Sequence, residues 1–129
     1  MLLDTTFVID LLRNDPGAIK KAKELNDSGE DIFSSAITVF EVWQGAEDLK
    51  NQDKRDGIDA LLSSLGLMAL DVECAKEGGA IHSECYRNGV PIDPQDSMIA
   101  GIAKHHHQTV LTRNIRHFSR IRGINVERY

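Results

Sequence analysis

Short apolar runs alternate along the chain with longer stretches in which apolar residues recur every three or four positions. The longer stretches predict amphipathic helices, as Val8, Leu11 and Leu12 illustrate near the start of the chain. The short runs predict strands, because polar or turn-forming residues follow each of them within a few positions. The predicted strands are Met1–Leu3, Ile32–Ala36, Leu67–Leu70, Thr109–Leu111 and Ile124–Val126, and the predicted helices lie near residues 7–12, 18–25, 38–46, 58–65, 72–86, 94–106 and 115–121.

The predicted strands are apolar almost throughout, and polar residues do not alternate with the apolar ones. This pattern is typical of parallel strands that are buried on both faces of a sheet. Helices separate the strands, and parallel neighbours in a sheet are joined by right-handed connections of this kind. We therefore predict an α/β fold, a three-layer α/β/α sandwich with a five-stranded parallel sheet, in which residues 1–129 form a single domain.

Length and composition narrow the class of protein. A chain of 129 residues is long enough to bury a core without disulfides or a structural metal. No apolar run reaches the roughly 18 residues that span a bilayer, and the first residues lack the features of a secretory signal. Cys74 and Cys85 lie about 16 Å apart if both belong to one helix, so they are not expected to pair. We expect a cytoplasmic protein that does not bind membranes.

The formal charge of −5 conceals a strong asymmetry. Residues 1–103 hold 9 Lys and Arg against 19 Asp and Glu, whereas residues 104–129 hold 6 against 1. A basic segment on an acidic body is compatible with a polyanionic partner. The alternative is that these charges form an ordinary solvated face.

Four polar side chains lie where the predicted strands end or the following helices begin. Asp4 follows the first strand, Glu41 lies in the helix after the second strand, Asp96 lies in the first turn of a helix, and Asn114 follows the fourth strand. Because the carboxyl ends of parallel strands share one edge of a sheet, we expect these side chains to converge.

Helix capping is an alternative role for each of these residues. Thr38 and Glu41 have the spacing of a capping box, with Thr38 at the N-cap. Asp93 and Asp96 occupy the N-cap and third positions of another well-formed helix start. The sequence alone leaves capping and catalysis open for each residue taken singly.

The convergence of several acids favours a metal site. Three carboxylates at one edge repel one another and raise each other's pKa unless a cation neutralises them. Oxygen ligands without a nearby cysteine or histidine favour Mg²⁺ or Mn²⁺, and these ions suit phosphate chemistry.

Four motifs occur in order along the chain. They are Leu3-Asp4-Thr5, Ile37-Thr38 with Glu41 and Gly45, Ile92 to Asp96 with Met98-Ile99-Ala100, and Leu111-Thr112-Arg113-Asn114 with Phe118. Taken together, they resemble those of the PIN-domain nucleases. The likeness extends from residue 3 to about residue 126 and is greatest to the VapC-type toxins of prokaryotic toxin–antitoxin pairs.

This resemblance implies a metal-dependent endoribonuclease. It implies an acidic site of Asp4, Glu41 and Asp96 that holds Mg²⁺ or Mn²⁺, with Asn114 as a further catalytic residue. It also implies an RNA substrate, a homodimer and a cognate antitoxin protein. Because Asn114 is neutral, we expect one ion in the free protein.

The candidate substrate-binding residues are Thr5, Thr112, Arg113 and Arg116. Arg113 follows the fourth strand at the mouth of the predicted site, and Arg116 extends the same basic segment toward an RNA backbone. Thr112, together with Asn114, is expected to orient water or phosphate by hydrogen bonds. Antitoxin docking is the alternative role for the arginines.

Other conspicuous side chains receive structural interpretations. Consecutive helical residues point about 100° apart, so His105, His106 and His107 are not expected to hold one ion together, and we predict a solvated helix end. His117 has no sequence partner. Trp43 is compatible with either the core or a subunit interface.

Two alternatives to a toxin remain at this point. One is a housekeeping RNA-processing nuclease of the same family, and the other is a non-catalytic module that binds RNA or a protein partner. Aspartyl-phosphate phosphatases are excluded, because they need a second aspartate two residues after the first, where this chain has Thr6.

Overall fold

Five parallel strands form one sheet, and helices cover both of its faces. A computed structural model describes residues 1–129. The strands are β1 (Leu2–Leu3), β2 (Phe33–Ser35), β3 (Gly66–Met68), β4 (Thr109–Leu111) and β5 (Asn125–Glu127). The helices are α1 (Thr5–Leu12), α2 (Pro16–Ser28), α3 (Ala36–Glu47), α4 (Gln52–Ser64), α5 (Val72–Arg87), α6 (Pro94–His105) and α7 (Ile115–Phe118).

Alternate residues of the central strands enter two separate cores. Leu2 pairs with Val110 in the sheet, and both side chains join the cluster formed with α5, α6 and α7. The next pair, Leu3 and Leu111, joins the cluster formed with α1, α2 and α3 on the other face. Burial on both faces explains why these strands carry no alternating polar residues. The predicted three-layer α/β/α sandwich is confirmed.

The strand order β3-β2-β1-β4-β5 places a switch point at the centre of the sheet. The chain moves outward from β1 to β3 on one side and then crosses to β4 and β5 on the other. In open parallel sheets, ligands bind beyond the carboxyl ends of the strands at such a point. Here Asp4 follows β1, and its N–H donates to the carbonyl oxygen of Leu111 on β4 at 3.0 Å.

Two predicted helix starts are wrong. Helix α3 begins at Ala36 with Ser35 as its N-cap, because the Ser35 hydroxyl, three residues before Thr38, accepts the Thr38 N–H at 3.0 Å. Thr38 is fully buried and lies inside the first turn. Helix α4 begins at Gln52, well before the predicted position, because Asn51 caps it through the Lys54 N–H at 3.1 Å.

Helices α5 and α6 approach each other at their backbones. A Cβ placed on Gly101 of α6 would lie 2.5 Å from the carbonyl oxygen of Cys74 on α5. A Cβ on Gly78 would lie 2.9 Å from the carbonyl oxygen of Ser97. Only glycine allows this contact, so the two glycines fix α6 and the residues at both of its ends relative to α5. Both cysteines are free and buried, as predicted.

None of the helices combines the length and the apolar character that a membrane crossing requires.

Candidate active site

The predicted acidic residues meet beyond the carboxyl ends of β1, β2 and β4. Asp4 directly follows β1, Glu41 lies in the second turn of α3, and Asp96 lies in the first turn of α6. The negative charges of Asp4, Asp96 and Asp93 all act on Glu41. Residues that are distant along the chain therefore share one electrostatic environment.

Asp4 is held by two hydroxyl groups on the same oxygen. Its residue is 3% exposed, and Oδ2 accepts hydrogen bonds from Thr6 Oγ1 and from Thr112 Oγ1, each at 2.7 Å. The Asp4 side chain makes no capping hydrogen bond to α1, although it occupies the N-cap position. The second oxygen, Oδ1, has no hydrogen-bond partner within the chain and stays available to a ligand.

Glu41 is held by a chain of buried hydroxyls. Thr5 Oγ1 donates to Glu41 Oε2 and lies 3.3 Å from Thr38 Oγ1, which in turn accepts from Ser35 Oγ at 3.2 Å. Burial is the largest cause of a raised pKa at Glu41, and the charges of Asp4 and Asp96 raise it further, against the hydrogen bond from Thr5. The capping-box role predicted as an alternative for Glu41 is absent, because Ser35 caps this helix.

Asp96 has a histidine partner that the sequence analysis missed. His117 Nδ1 lies 3.0 Å from Asp96 Oδ2 and 2.8 Å from Asn114 Nδ2. A protonated Nδ1 donates to the Asp96 carboxylate, whereas an unprotonated Nδ1 accepts from the Asn114 amide. Burial raises the pKa of Asp96, and the contact with His117 opposes that shift. Asn114 and His117 are three residues apart at a predicted short helix, and this spacing could have indicated that His117 lies near the site.

Thr112 connects the fourth strand to both Asp4 and Asn114. Its side chain is fully buried, and Oγ1 accepts the Asn114 N–H at 2.8 Å while donating to Asp4. Thr6 lies 3.4 Å from the same hydroxyl and 3.4 Å from the N–H of Arg113. Thr6 thus helps to position the Asp4 carboxylate.

Arg113 is anchored beside the site by an ion pair. Its guanidinium lies 2.9 Å from Asp10 Oδ2, and the Tyr129 hydroxyl donates to the same oxygen at 2.7 Å. The Asp10 side chain is only 5% exposed, whereas that of Arg113 is 56% exposed. Burial and the hydrogen bond to Asp10 raise the pKa of Tyr129. Arg113 therefore keeps a fixed position at the mouth of the site with part of its guanidinium facing solvent.

Asp93 and Arg116 are exposed residues near the acidic site. Asp93 occupies the N-cap position of α6 but makes no side-chain capping bond, so the predicted capping role is not confirmed. Its charge raises the pKa of both Glu41 and Asp96. Arg116 is exposed on α7.

The raised pKa values predict a pH-dependent cost to stability. Unfolded Glu and Asp have pKa values of about 4. Folding raises the pKa of Glu41 and Asp96, so the folded state binds more protons than the unfolded state. The folded state therefore loses stability as the pH rises above the pKa values of the unfolded chain. In chelator, urea unfolding should show that the advantage of Glu41→Gln over the parent chain grows from about pH 4 to about pH 7.

Asp27→Asn is the control, because Asp27 is exposed on α2 and forms no ion pair. Its difference from the parent chain should stay constant over that range. A constant difference for Glu41→Gln as well would contradict a shared acidic environment.

The family of the chain follows from a match over nearly its whole length. The sequence profile of the PIN domain matches residues 1–124. A tRNA(fMet)-specific endonuclease VapC from Salmonella typhimurium is 36% identical over 127 residues, which cover 98% of this chain and 95% of that relative. This chain belongs to the VapC group of the PIN-domain family. A ribonuclease VapC19 from Mycobacterium tuberculosis is 30% identical to it, with 91% of this chain and 90% of that relative covered.

Solved structures agree with this VapC-type assignment. The crystal structure of DNA-bound VapBC from Salmonella typhimurium contains a chain that superimposes with a TM-score of 0.87. That chain is 34% identical, and the match covers 98% of this chain and 96% of the other. The predicted family and fold are both confirmed.

Proposed function

We propose that this VapC-type ribonuclease hydrolyses RNA phosphodiesters with a divalent ion held by Asp4, Glu41 and Asp96, and that it is the toxin of a toxin–antitoxin pair. The observation that carries the proposal is the convergence of these buried or partly buried carboxylates at the switch point of the sheet. No lysine or arginine forms an ion pair with any of the three, and only His117 offers a positive charge to Asp96.

The donor set suits Mg²⁺ or Mn²⁺. All of its ligand atoms are carboxylate oxygens, and Asp4 Oδ1 has no partner within the chain. Mg²⁺ keeps several of its waters and binds through one or two carboxylates directly, so part of this set would hold the ion through water. When bound, such an ion lowers the pKa of a coordinated water and neutralises charge on the phosphate oxygens.

The residues of the chain prepare the site for that chemistry. Thr6 and Thr112 fix one oxygen of Asp4 and leave the other without a hydrogen-bond partner in the chain. Thr5 orients Glu41. Asn114 and His117 lie next to Asp96, where they can position water or a phosphate oxygen by hydrogen bonds.

The RNA backbone has a basic path beside this cleft. Arg113 presents its exposed side at the mouth, and Arg116 is exposed on the next helical segment. Arginines contact phosphate oxygens without reading sequence, so these two residues position the strand and leave the choice of cleavage site to other contacts. A substrate of this kind places the activity in the cytoplasm.

Loss of the Thr112 hydroxyl should weaken metal binding without removing a ligand. We expect Thr112→Val to reduce the affinity for Mn²⁺ by about 10- to 100-fold, the usual effect of losing a partner that orients a metal ligand. Isothermal titration with Mn²⁺ measures this change. Thr109→Val on the same strand is the control, because the Thr109 side chain makes no hydrogen bond to the acidic residues. Equal affinities of the two variants would contradict the role of Thr112.

An apolar groove leads to the acidic residues and suits an antitoxin. It runs between α1, α3 and α4, and its lining includes Ile9, Leu12, Val42, Ile58 and Glu41 itself. A protein segment that fills this groove would lie against Glu41 and exclude RNA. We assign the groove to the cognate antitoxin.

A separate apolar surface suits a second copy of the chain. Phe40 is 61% exposed and Leu67 is 65% exposed, and Trp43 of α3 lines the same surface as both of them. Contiguous exposed apolar side chains of this size mark protein interfaces. We assign this surface to a homodimer. Light scattering should give twice the chain mass of 14.3 kDa, and a monomer would contradict the assignment.

RNA cleavage by the purified chain tests the proposed function. Total cellular RNA should be cut at a small set of positions when Mg²⁺ is present, and sequencing of the new ends identifies them. RNA that binds equally well with and without chelator and stays intact would show a non-catalytic module.

Growth measurements distinguish a toxin from a housekeeping nuclease. Expression of the chain alone should arrest growth, and expression with the product of the neighbouring open reading frame should restore it. Normal growth in the absence of that product would contradict the toxin assignment.

A further inference from the structure

A second set of metal-binding side chains lies away from the acidic residues. Cys74 near the start of α5 and His105 and His106 at the end of α6 each offer one ligand atom, and these atoms all lie within 4.8 Å of one another. The chain contains no other group of three cysteine, histidine or carboxylate ligands with this spacing. The three histidines lie at the end of a helix, as predicted, but two of them also lie close to a buried thiol.

The fold explains why these residues meet. The glycine contact between α5 and α6 brings the Cys74 turn against the last turns of α6. Asp71 caps α5 by accepting the Cys74 N–H at 2.9 Å. His107, the third histidine, has a positive φ of 53° and turns away from the set. The arrangement therefore uses two of the three consecutive histidines.

The chemistry of the set differs from that of the catalytic centre. One thiol and two imidazoles are soft and borderline ligands, which favour Zn²⁺ and related transition metals over Mg²⁺. The charges of His105 and His106 both act on Asp71, which places this carboxylate beside the two imidazoles.

We propose that Cys74, His105 and His106 form a Zn²⁺ site that fastens the start of α5 to the end of α6. On binding, the Cys74 thiol gives up its proton to solvent and the thiolate coordinates the ion. The two exposed imidazoles close the site from the outside, and the remaining position of a tetrahedral ion is left to water. The buried thiol forms the inner side of the site.

The site is separate from the acidic centre. Asp96 and His105 lie at opposite ends of α6, about 14 Å apart along the helix axis at about 1.5 Å per residue. The ion therefore holds the distal end of the helix whose first turn carries Asp96. This proposal does not rest on nuclease activity.

Cobalt spectroscopy on the full chain tests the proposal. With excess Mg²⁺ present to occupy the carboxylates, and a non-thiol reductant, one equivalent of Co²⁺ should produce a thiolate-to-cobalt charge-transfer absorption. Zn²⁺ should abolish that absorption by displacing Co²⁺. The acidic centre has no sulfur ligand and cannot produce the signal.

Matched variants identify the ligands. Cys74→Ser should remove the charge-transfer absorption, whereas Cys85→Ser, at the other buried cysteine of α5, should keep it. His105→Gln and His106→Gln should each weaken Zn²⁺ binding at least about tenfold in a chelator competition, and His107→Gln should not. The histidines are exposed, so their variants test the site even if Cys74→Ser fails to fold.

Two results would overturn the site. One is a parent chain that shows no charge-transfer absorption with Co²⁺. The other is Zn²⁺ affinity that is the same in the parent chain, His105→Gln, His106→Gln and His107→Gln. Either result would leave the three histidines as a solvated helix end.

Discussion

Asp96→Asn should reduce the rate of RNA cleavage by at least about 100-fold, the scale on which a single electrostatic group at a reacting centre acts. The amide keeps the size of the side chain and its position in the first turn of α6, but it removes the negative charge that the ion requires. Asp4→Asn should have an effect of the same size, because Asp4 Oδ1 has no hydrogen-bond partner within the chain and is a proposed ligand of the ion. Initial rates on a short RNA that contains the cleavage site measure both losses.

A Tm measurement should show that the Asp96→Asn and Asp4→Asn chains still fold. Asp96 carries a raised pKa, so loss of its charge should leave the Tm of the metal-free chain unchanged or higher. Asp27→Asn on α2 is the control, because Asp27 is exposed and lies far from the acidic residues in the sequence. Its cleavage rate should equal that of the parent chain. A folded Asp96→Asn chain that cuts RNA at the parent rate would remove Asp96 from the mechanism.

Removal of divalent ions should abolish cleavage completely. In EDTA the acidic residues remain in place but lack the charge that activates water and neutralises the phosphate. Addition of excess Mg²⁺ or Mn²⁺ should restore the rate, and the ion that restores it at the lower concentration identifies the better cofactor. The measurement is the cleavage rate as a function of free metal concentration.

The two proposed metal sites can be separated in the same experiment. Because EDTA also removes Zn²⁺, restoration by Mg²⁺ alone assigns the lost activity to the acidic centre. Cleavage that continues in EDTA at the original rate would contradict a metal-dependent mechanism, even if the chain still binds RNA.

The local pattern predicts most of the fold because secondary structure and burial leave periodic traces in a sequence. The apolar strands, the helical spacing of residues such as Val8 and Leu11, and the single-domain length sufficed for the α/β/α sandwich. The first residue of a helix was harder to predict where two residues that favour the N-cap position lay close together. Ser35 and Thr38 are both good N-caps, and only the end of β2 at Ser35 decides between them.

The convergence of the acidic residues was predictable for a related reason. In a parallel sheet, residues that follow the strands share one edge, so Asp4 and Asn114 could be assigned to the same place from their positions alone. Their hydrogen-bond partners could not. Thr112 donates to Asp4 because β1 and β4 are neighbours in the sheet. The sequence around either residue does not indicate this contact.

The sequence by itself therefore determined the layers, the order of the elements and the acidic edge, because each depends on periodicity or on position relative to a strand. Only the tertiary structure decided which side chains from distant segments meet. His117 joins Asp96, Tyr129 joins Asp10, and Cys74 joins two histidines through the packing of separate helices. Side-chain contacts of this kind depend on helix packing at the scale of single ångströms, which residue spacing along a chain does not encode.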